Sequence, residues 1–400
     1  MVKRPLVWWE GVAALVTALA LVLLVGFTWE ASQSALLPPP AAHTHHRPPL
    51  RGHPGLYPPP APLLDLPAIS LVANTPACDT SPFLLVLLVI SHPAHAALRD
   101  AHRTYVSWET LNALGARRVF ILADGSKGLQ VDYPTVPVAR VLQESGLHRD
   151  LVVADFKDHY RNLTYKHALA LSWATHFCPH ARYLLKMDDD IMVDVWGVVK
   201  LLQAGLVVDH WGQVHPGDSG HRRLEPEGIW VAGLVQRGLQ PQRGSGKWRV
   251  TKAEYPRHIY PNYLAGWAYL ATQPAATAIM RAASNATPFW IDDVYMTGTV
   301  AVAAGVPRYA LNKHYTLMRG AATCCLEGPH HPLGEPHPWP SPAPLCGLLV
   351  APSDKNVTIL KAWLTTARAC HEGKGCPSPP PNSCPPTRPH YGVGTVIALS

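Results

Sequence analysis

Short apolar runs alternate with longer segments of helical pattern through the middle of the chain. Residues 83–90 read FLLVLLVI, and such a run predicts a strand buried on both faces of a parallel sheet. Further strands are predicted at 118–122 and 183–187, with helices at 96–114, 163–177 and 195–204. Strands and helices that alternate at this spacing predict an α/β fold, with a mostly parallel sheet flanked by helices.

An uncharged apolar segment precedes this region. Residues 11–29 carry no charge and would span about 28 Å as a helix, close to the thickness of a bilayer core. Lys3 and Arg4 lie before the segment and Glu30 follows it, so the positive-inside rule predicts a type II membrane anchor with residues 1–10 in the cytosol. The alternative is a cleavable signal peptide, for which the small residues at 31–35 offer a cleavage site.

Proline-rich segments flank the region of alternating strands and helices. Three proline runs within residues 37–67 predict an extended spacer, and residues 373–389 are again rich in proline. We therefore predict a stem at 30–77, a folded lumenal domain at 78–370 and a C-terminal tail at 371–400. A domain of about 290 residues is large enough for one core or two lobes.

Composition and charge exclude some functional classes. Of the 400 residues, 48% are hydrophobic and 15% are charged, so the chain is too apolar to be disordered. Lys and Arg number 34 against 27 Asp and Glu, which gives a net charge of only +7. Nucleic-acid binding needs a basic stripe interleaved with aromatic residues. The sequence contains no such stripe, and we expect no nucleic-acid partner.

Eight cysteines and three glycosylation sequons are typical of a protein in an oxidising compartment. No two cysteines have the CxxC spacing of a zinc site, which favours structural disulfides. The sequons begin at Asn162, Asn285 and Asn356, and these three residues are the predicted glycosylation sites.

Three consecutive carboxylates, Asp188, Asp189 and Asp190, directly follow the predicted strand at 183–187. Ligands of α/β sheets bind beyond the carboxyl ends of the strands, and adjacent carboxylates repel one another unless a cation neutralises them. Mn²⁺ and Mg²⁺ prefer oxygen ligands and bridge to phosphate oxygens. The triplet therefore predicts a metal–diphosphate site. The alternative is an acidic turn on the surface.

Several segments match the motifs of one enzyme family in the same order. They are LRDAHR at 98–103, DFKDHYRNLTYK at 155–166, YLLKMDDDIMV at 183–193, KW, EYP and YP at 247–248, 254–256 and 260–261, Gly266 with Tyr269, and IDDVY at 291–295. Together they resemble the β1,3-glycosyltransferases of glycosyltransferase family 31, Golgi enzymes that use UDP-sugars. The resemblance covers residues 78–370 and implies a glycosyltransferase-A-like, Rossmann-like fold. It also favours a disulfide between Cys78 and Cys178.

The resemblance implies a role for each residue that matches a motif. Asp190 is expected to bind the metal directly, together with Asp188, which also flanks the nucleotide. Asp189 is expected to contact the ribose or to support the metal ligands. The residues expected to contact the nucleotide-sugar also include Arg103, Lys166, Trp248 and Asp292. The alternatives are an exposed helix lysine for Lys166 and a place in the aromatic core for Trp248, as for Tyr255.

Asp293 is the candidate general base. The resemblance implies an inverting reaction, in which an acceptor hydroxyl attacks the sugar while UDP leaves from the opposite face. A carboxylate within hydrogen-bond distance of that hydroxyl can take its proton. Thr272 and Pro274 predict the start of a helix that ends near Ala283 and leads to Asp293. The alternative is that Asp292 and Asp293 cap the following helix.

One departure from the family concerns the metal site. The family commonly has a His that binds the metal near the C-terminal end, and this stretch reads LLVAPS at 348–353. His314, His330, His331 and His337 lie upstream, without a clear candidate to replace it. Leu264 also stands where the family has a cysteine near Gly266.

Two classes of function follow from these observations. The first is a Golgi enzyme that transfers a hexose, with galactose as first choice, from a UDP-sugar to a glycan on a glycoprotein or glycolipid in β1,3 linkage. N-acetylglucosamine is the alternative donor sugar. The second class is a catalytically weak lumenal chaperone or glycan-binding protein with the same fold.

Overall fold

Strands and helices alternate along the chain in the computed structural model, which describes residues 61–78, 81–126, 134–217, 222–327, 330–331 and 345–377. The strands of these residues are β1 (Ala61–Leu63), β2 (Leu66–Ile69), β3 (Leu71–Ala73), β4 (Phe83–Ile90), β5 (Ala116–Asp124), β6 (Leu151–Lys157), β7 (Ala181–Asp188), β8 (Ile191–Val193), β9 (Leu206–Val208), β10 (Val214–Pro216), β11 (Arg222–Leu224), β12 (Val231–Gln236), β13 (Tyr263–Thr272), β14 (Arg308–Ala310), β15 (His330–His331), β16 (Val350–Pro352) and β17 (Cys376–Pro377). The α-helices are α1 (Ala96–Tyr105), α2 (Trp108–Ala113), α3 (Val138–His148), α4 (Leu163–Phe177), α5 (Val195–Ala204), α6 (Gln273–Ala283), α7 (Ala301–Ala303), α8 (Arg319–Glu327) and α9 (Val357–His371). Short 3-10 helices lie at Tyr160–Asn162, Asn312–His314 and Leu345–Gly347, and a π-helix at Val294–Val300.

The central sheet has eight strands in the order β14-β12-β13-β7-β4-β5-β6-β3. The pairs β7–β4, β4–β5 and β5–β6 are parallel, and β12 is parallel to β14. Strand β13 is antiparallel to β7 and β12, and β3 is antiparallel to β6. The prediction of an α/β fold with a mostly parallel sheet is therefore confirmed. The carboxyl ends of β4 to β7 lie at one edge, where the acidic triplet follows β7.

Both faces of the sheet are covered, which explains the unbroken apolar run of β4. Leu85 and Leu87 point into one core with residues of α1, α2, α5 and α9. Val86 and Leu88 point into a second core with α4, α6 and the π-helix. Successive side chains of a strand alternate between the faces of a sheet, so both sets of positions must be apolar.

The predicted helix at 96–114 is two helices, and the prediction of a single helix is wrong. Helix α1 ends at Tyr105 and α2 begins at Trp108. Ser107 has an extended backbone between them, and its side chain accepts a hydrogen bond from the backbone N–H of Thr110. This is an N-cap, which begins a new helix. The predicted helices at 163–177 and 195–204 are confirmed at both ends.

The folded region begins before the predicted boundary at residue 78. Strands β1 and β2 pair with each other, and β3 pairs with β6 at the edge of the central sheet. Asn74 is buried, and its Oδ1 accepts a hydrogen bond of 2.7 Å from Nε1 of Trp173. Residues 61–77 therefore belong to the fold rather than to a stem, because they pair with an edge strand that would otherwise be open.

The predicted tail also begins too early, because α9 continues to His371 and β17 lies at Cys376–Pro377. The predicted membrane anchor at 11–29 lies outside the described residues. Within the described ranges, no helix is both long enough and apolar enough to cross a membrane.

Disulfides connect distant parts of the described chain. The expected bond between Cys78 and Cys178 is present, and further bonds join Cys325 to Cys346 and Cys370 to Cys376. The first of these connects the segment before β4 to the C-terminal end of α4, across 100 residues. A cross-link restricts the unfolded chain more strongly when it closes a longer loop.

Replacing Cys78 and Cys178 with Ala is expected to lower the free energy of unfolding by about 2–5 kcal/mol. The matched control replaces Cys370 and Cys376, which are only 6 residues apart, and should cost less. Urea denaturation of the full-length protein without reductant measures both values. Equal losses in the two variants would contradict the account.

Candidate active site

The acidic triplet forms the turn between β7 and β8. Asp188 is the last residue of β7, and Asp188 and Asp190 are partly exposed, whereas Asp189 is only 4% exposed. This alternation continues the two-residue period of the strand. The triplet therefore presents two of its carboxylates to solvent and one to the interior.

Asp189 anchors the turn to the segment that follows β4. Its carboxylate accepts hydrogen bonds from Oγ of Ser91 at 2.6 Å and from Nδ1 of His95 at 2.9 Å. Nε2 of His102 in α1 contacts the backbone oxygen of Asp189 at 2.9 Å. The structure thus places Asp189 among protein donors, which hold the other two carboxylates in position. Its predicted contact with ribose stays a prediction.

Lys186 connects the triplet to the second half of the chain. Its side chain is 2% exposed, and its ammonium donates to Oδ1 of Asp188 at 2.7 Å and to the backbone oxygen of Gly266. Oδ2 of Asp292 lies 3.9 Å from the same nitrogen. Lys186 was not among the predicted site residues. Its signal in the sequence is its place two residues before Asp188 in a strand, which puts both side chains on one face.

The register of β13 on β7 brings the two acidic segments together. Ala268 lies opposite Met187, so Gly266 lies just beyond the end of β7. The π-helix packs on β13 through Thr297, whose Oγ1 accepts from the backbone N–H of Leu264 and donates to its carbonyl. Asp292 and Asp293 at the start of this helix are thereby held beside the triplet, as the family resemblance implies.

Asp293 is held by two backbone N–H groups. Its Oδ2 accepts from Gly266 at 3.1 Å and its Oδ1 from Val294 at 2.8 Å. The side chain caps the π-helix, which was the alternative to a catalytic role, but it stays partly exposed. Burial, followed by the charge of Asp292, raises the pKa of Asp293 to about 7. Capping and base chemistry are therefore compatible in one side chain.

Gly266 allows this close approach because it has no side chain. A Cβ at this position would lie 3.2 Å from Cβ of Asp293 and 3.7 Å from Oδ2 of Asp292. The glycine of the predicted motif thus leaves room for Asp293, because a Cβ at this position would be in tight contact with the Cβ of Asp293.

Asp292 is bonded to His167, which was also not among the predicted site residues. Nδ1 of His167 lies 2.9 Å from Oδ2 of Asp292, and Nε2 of His167 contacts the hydroxyl of Tyr269. Burial tends to raise the pKa of Asp292, but the hydrogen bond to His167 and the charge of Lys186 lower it to about 2. The sequence offered no signal for this contact, because His167 and Asp292 are 125 residues apart.

The two partly exposed carboxylates of the triplet have raised pKa values, in contrast to the lowered pKa of Asp292. Burial raises the pKa of Asp188 to about 7, although the ammonium of Lys186 opposes the shift. Burial and the charge of Asp189 raise the pKa of Asp190 to about 6, against the charge of Lys355. Both carboxylates therefore lack sufficient positive charge nearby, and a bound cation would supply it.

Aromatic side chains flank Asp292 and Asp293. Nε1 of Trp248 donates to the hydroxyl of Tyr160 at 2.6 Å, and the edge of Trp290 packs against Tyr160 with ring centroids 6.1 Å apart. The charges of Asp292 and Asp293 contribute to a raised pKa of Tyr160, after burial. The structure thus places Tyr160 within reach of the charges of the acidic pair, and Trp248 against Tyr160. Tyr255 packs against Tyr260 and Phe289, and Phe289 in turn contacts Trp290.

Lys166 and Arg103 contact protein carboxylates rather than the triplet. The ammonium of Lys166 is buried and binds Asp158 at 3.0 Å and the backbone oxygen of Ser91 at 2.9 Å, so an exposed lysine is excluded. Arg103 forms ion pairs of 2.7 to 2.8 Å with Asp100, Glu144 and Asp150. Both residues support the elements around the site, and their predicted contact with a nucleotide-sugar stays a prediction.

The stretch that departs from the family lies next to the triplet. Strand β16 pairs with β8, and Ser353 donates from its backbone N and its Oγ to the backbone oxygen of Asp190, at 2.9 and 2.7 Å. Ser353 at the end of this stretch therefore holds the acidic turn. His314 is buried against the carbonyl of Gly347, and His337 lies outside the described residues.

The donor set can be tested against a divalent cation. Within the described residues, no group of three or more His, Cys, Asp or Glu side chains could hold a metal by itself. Mg²⁺ in nucleotide enzymes usually keeps several waters and binds one or two carboxylates together with substrate phosphates. Asp188 and Asp190 fit such a shared site, because they are hard oxygen donors with raised pKa values.

The three sequons differ in accessibility. Nδ2 of Asn162 donates to the backbone oxygen of Lys157 at 2.9 Å, and Thr164 of the same sequon is 1% exposed. Asn285 and Asn356 are exposed. Glycosylation at all three asparagines stays a prediction, and the fold favours the two exposed ones.

Comparison with known proteins gives one family model, two curated relatives and one solved structure. The family model described as Galactosyltransferase matches residues 103–312, which include both acidic segments. Beta-1,3-galactosyltransferase 4 of Mus musculus is 31% identical over 284 residues, covering 66% of this chain and 73% of the relative. Lactosylceramide 1,3-N-acetyl-beta-D-glucosaminyltransferase of Rattus norvegicus is 30% identical over 246 residues, covering 59% of this chain and 58% of the relative. A solved glycosyltransferase involved in the glycosylation of the major capsid of PBCV-1 covers 58% of this chain and 82% of its own at 11% identity, with a TM-score of 0.27 that carries no argument.

The different contacts of Asp189 and Asp190 lead to a stability prediction. Asp189→Asn places an amide among the donors Ser91 and His95 and should lower the free energy of unfolding by about 1–3 kcal/mol. Asp190→Asn removes a carboxylate that Asp189 repels, so it should not lower that free energy. Urea denaturation in metal-free buffer measures both. A larger loss for Asp190→Asn would contradict the assignment of Asp189 as the anchor.

Proposed function

The chain belongs to the galactosyltransferase family, and we propose that it transfers a hexose, galactose in the first instance, from a UDP-sugar to a glycan acceptor in β1,3 linkage. The observation that carries the proposal is the pairing of two unlike carboxylate sites. Asp188 and Asp190 are partly exposed oxygen donors at the end of β7, and Asp293 is a carboxylate with a raised pKa beside them. The proposed transfer uses both kinds of site, one for the leaving diphosphate and one for the acceptor hydroxyl.

Asp293 acts as the general base. A base is most effective when its pKa lies near the working pH, and the pKa of Asp293 is raised to about 7. The N–H groups of Gly266 and Val294 fix the orientation of its carboxylate. The proton of the acceptor hydroxyl passes to Asp293 as the hydroxyl oxygen attacks the anomeric carbon and UDP leaves from the opposite face.

Asp188 and Asp190 would hold the cation together with the nucleotide. Mn²⁺ or Mg²⁺ bound there would supply positive charge to offset the charge that develops on the departing diphosphate. The hydrogen bonds to Asp189 and to the backbone oxygen of Asp190 keep the turn in one conformation. The two ligands therefore need little reorganisation when the nucleotide binds.

The aromatic residues near Asp293 suit the sugar substrates. Trp248 and Tyr160 are linked by a hydrogen bond, and Lys247 lies 4.1 Å from the centroid of the Tyr160 ring. Tyr and Trp offer an apolar face together with a polar group. We propose that this side of the site receives the glycan acceptor, on a glycoprotein or glycolipid.

The cellular setting belongs to the same proposal. Residues 11–29 are apolar and uncharged, which supports a single-pass type II anchor in the Golgi membrane with residues 61–377 in the lumen. The disulfides are consistent with that compartment.

N-acetylglucosamine is the second candidate donor sugar. The relative from Rattus norvegicus is named as an N-acetylglucosaminyltransferase, and the IDDV segment also occurs in such enzymes by family resemblance. A chaperone or glycan-binding role without catalysis is the remaining alternative, and it predicts no release of UDP.

A donor panel tests the proposed reaction. The full-length protein is incubated with Mn²⁺ and each of UDP-galactose, UDP-N-acetylglucosamine, UDP-N-acetylgalactosamine and UDP-glucose, with a glycan acceptor, and release of UDP is measured. We expect UDP-galactose to give the fastest release and a chelator to abolish it. Asp190→Ala should abolish the metal-dependent turnover as well. Full activity of Asp190→Ala would contradict its role, and no turnover with any donor would favour the chaperone alternative.

The pH dependence tests the base. Because burial raises the pKa of Asp293 to about 7, its carboxylate is protonated and inactive below that pH. We expect kcat/KM to rise with pH and to level off above about pH 7. Asp293→Asn should lower kcat by about 10²- to 10⁴-fold and remove this rise, with UDP binding retained in a calorimetric titration. An unchanged pH profile in Asp293→Asn, or loss of UDP binding, would contradict the assignment.

A further inference from the structure

A buried histidine and tyrosine lie behind Asp292, on the side away from solvent. The ring of His167, in the first turns of α4, and the side chain of Tyr269, on β13, have no exposed surface. Nδ1 of His167 contacts Oδ2 of Asp292 at 2.9 Å, and Nε2 contacts the hydroxyl of Tyr269. Both ring nitrogens are thus engaged, one by a carboxylate and one by a phenol.

The contacts determine where the protons lie. Burial holds the pKa of Tyr269 well above its usual range, so its hydroxyl keeps the proton and can donate it in a hydrogen bond. Its contact is Nε2 of His167, which can accept that hydrogen bond when it carries no proton. Burial lowers the pKa of His167, so the ring is neutral and carries one proton. The ionised carboxylate of Asp292 can only accept, so its contact with Nδ1 requires that proton on Nδ1.

Asp292 receives this donor on the same oxygen that faces Lys186. Oδ2 accepts from His167 and lies 3.9 Å from the ammonium of Lys186. Both of these contacts are on Oδ2, and the side chain of Asp292 is still 18% exposed. The ionised carboxylate also adjoins Asp293.

We propose that Tyr269 and His167 are positioning residues that fix the proton on Nδ1 of His167 and thereby hold Asp292 as an ionised acceptor in one orientation. The inference rests on the proposed transferase function, in which Asp292 contacts the sugar and Asp293 takes the proton. Without the Tyr269 hydroxyl, Nε2 loses its hydrogen-bond donor, and the contact with Asp292 alone would hold the imidazole in its orientation.

Two substitutions of His167 distinguish the effect of losing the hydrogen-bond donor to Asp292 from the effect of losing the packing of the imidazole. Asn places its amide nitrogen where Nδ1 of the imidazole lies, whereas Gln reaches to the position of Nε2. His167→Asn keeps a donor for Asp292, and its kcat should fall less than about tenfold. His167→Gln loses that donor, and a misplaced catalytic group can cost about 10²-fold in kcat. The KM for the UDP-sugar should change much less than kcat in both.

Equal losses of kcat in His167→Asn and His167→Gln would overturn the proposal, because packing alone would then explain the role of the imidazole. A fall confined to KM would overturn it as well. Thermal unfolding of each variant reports whether the fold is kept.

The proton position is measured directly by nitrogen NMR of the full-length protein labelled with ¹⁵N-histidine. The signals of His167 are identified by their loss in His167→Asn. We expect a protonated Nδ1 and an unprotonated Nε2 in the wild type, and in Tyr269→Phe a change in the chemical shift of Nε2 that reports the lost hydrogen bond from the hydroxyl. A wild-type ring protonated at Nε2, or no change in Tyr269→Phe, would overturn the proposal.

The spectrum is recorded without substrate, so its result does not depend on turnover. A protein without transferase activity would contradict the proposed function, and the nitrogen signals would still decide the proton position.

Discussion

A buried ammonium holds the two halves of the candidate site together. Lys186 is 2% exposed and lies among Asp188, Asp292 and the backbone oxygen of Gly266. A charge in the protein interior is costly unless it is paired and hydrogen-bonded. The end of β7, the start of β13 and the start of the π-helix must therefore meet around this nitrogen. Segments more than 100 residues apart in the chain become one acidic site because they share a cation.

The carboxylates around Lys186 divide into two groups by their contacts. Asp189 and Asp292 accept hydrogen bonds from buried side chains, and their pKa values are lowered. Asp188, Asp190 and Asp293 are partly exposed, and their pKa values are raised to between about 6 and 7. The first group holds the acidic turn and the start of the π-helix in position. The charge of the second group is the one that a bound cation or a proton can neutralise. Environments that push the pKa values of neighbouring acids apart are typical of sites that perform acid–base chemistry.

Much of this arrangement could be predicted from the sequence. The unbroken apolar run of β4 indicates a strand with two buried faces, and the triplet after β7 indicates a site at the carboxyl edge of the sheet. Lys186 and His167 were missed because their partners are distant in sequence, and a single buried polar residue has no pattern of its own. The N-cap at Ser107 was missed because the apolar spacing continues across it. The place of residues 61–77 depends on pairing with β6, which their proline content does not reveal.

The central claim is that the acidic turn after β7 and the pair Asp292 and Asp293 form one site for a metal, a nucleotide and an acceptor. The most direct test is a crystal structure of the protein grown with Mn²⁺ and UDP, with the metal located by anomalous scattering. The account predicts a metal within about 2.5 Å of a carboxylate oxygen of Asp190, with a UDP phosphate bound to it and Asp293 still open to the acceptor. Metal and nucleotide bound elsewhere, with Asp188 and Asp190 free of both, would contradict it.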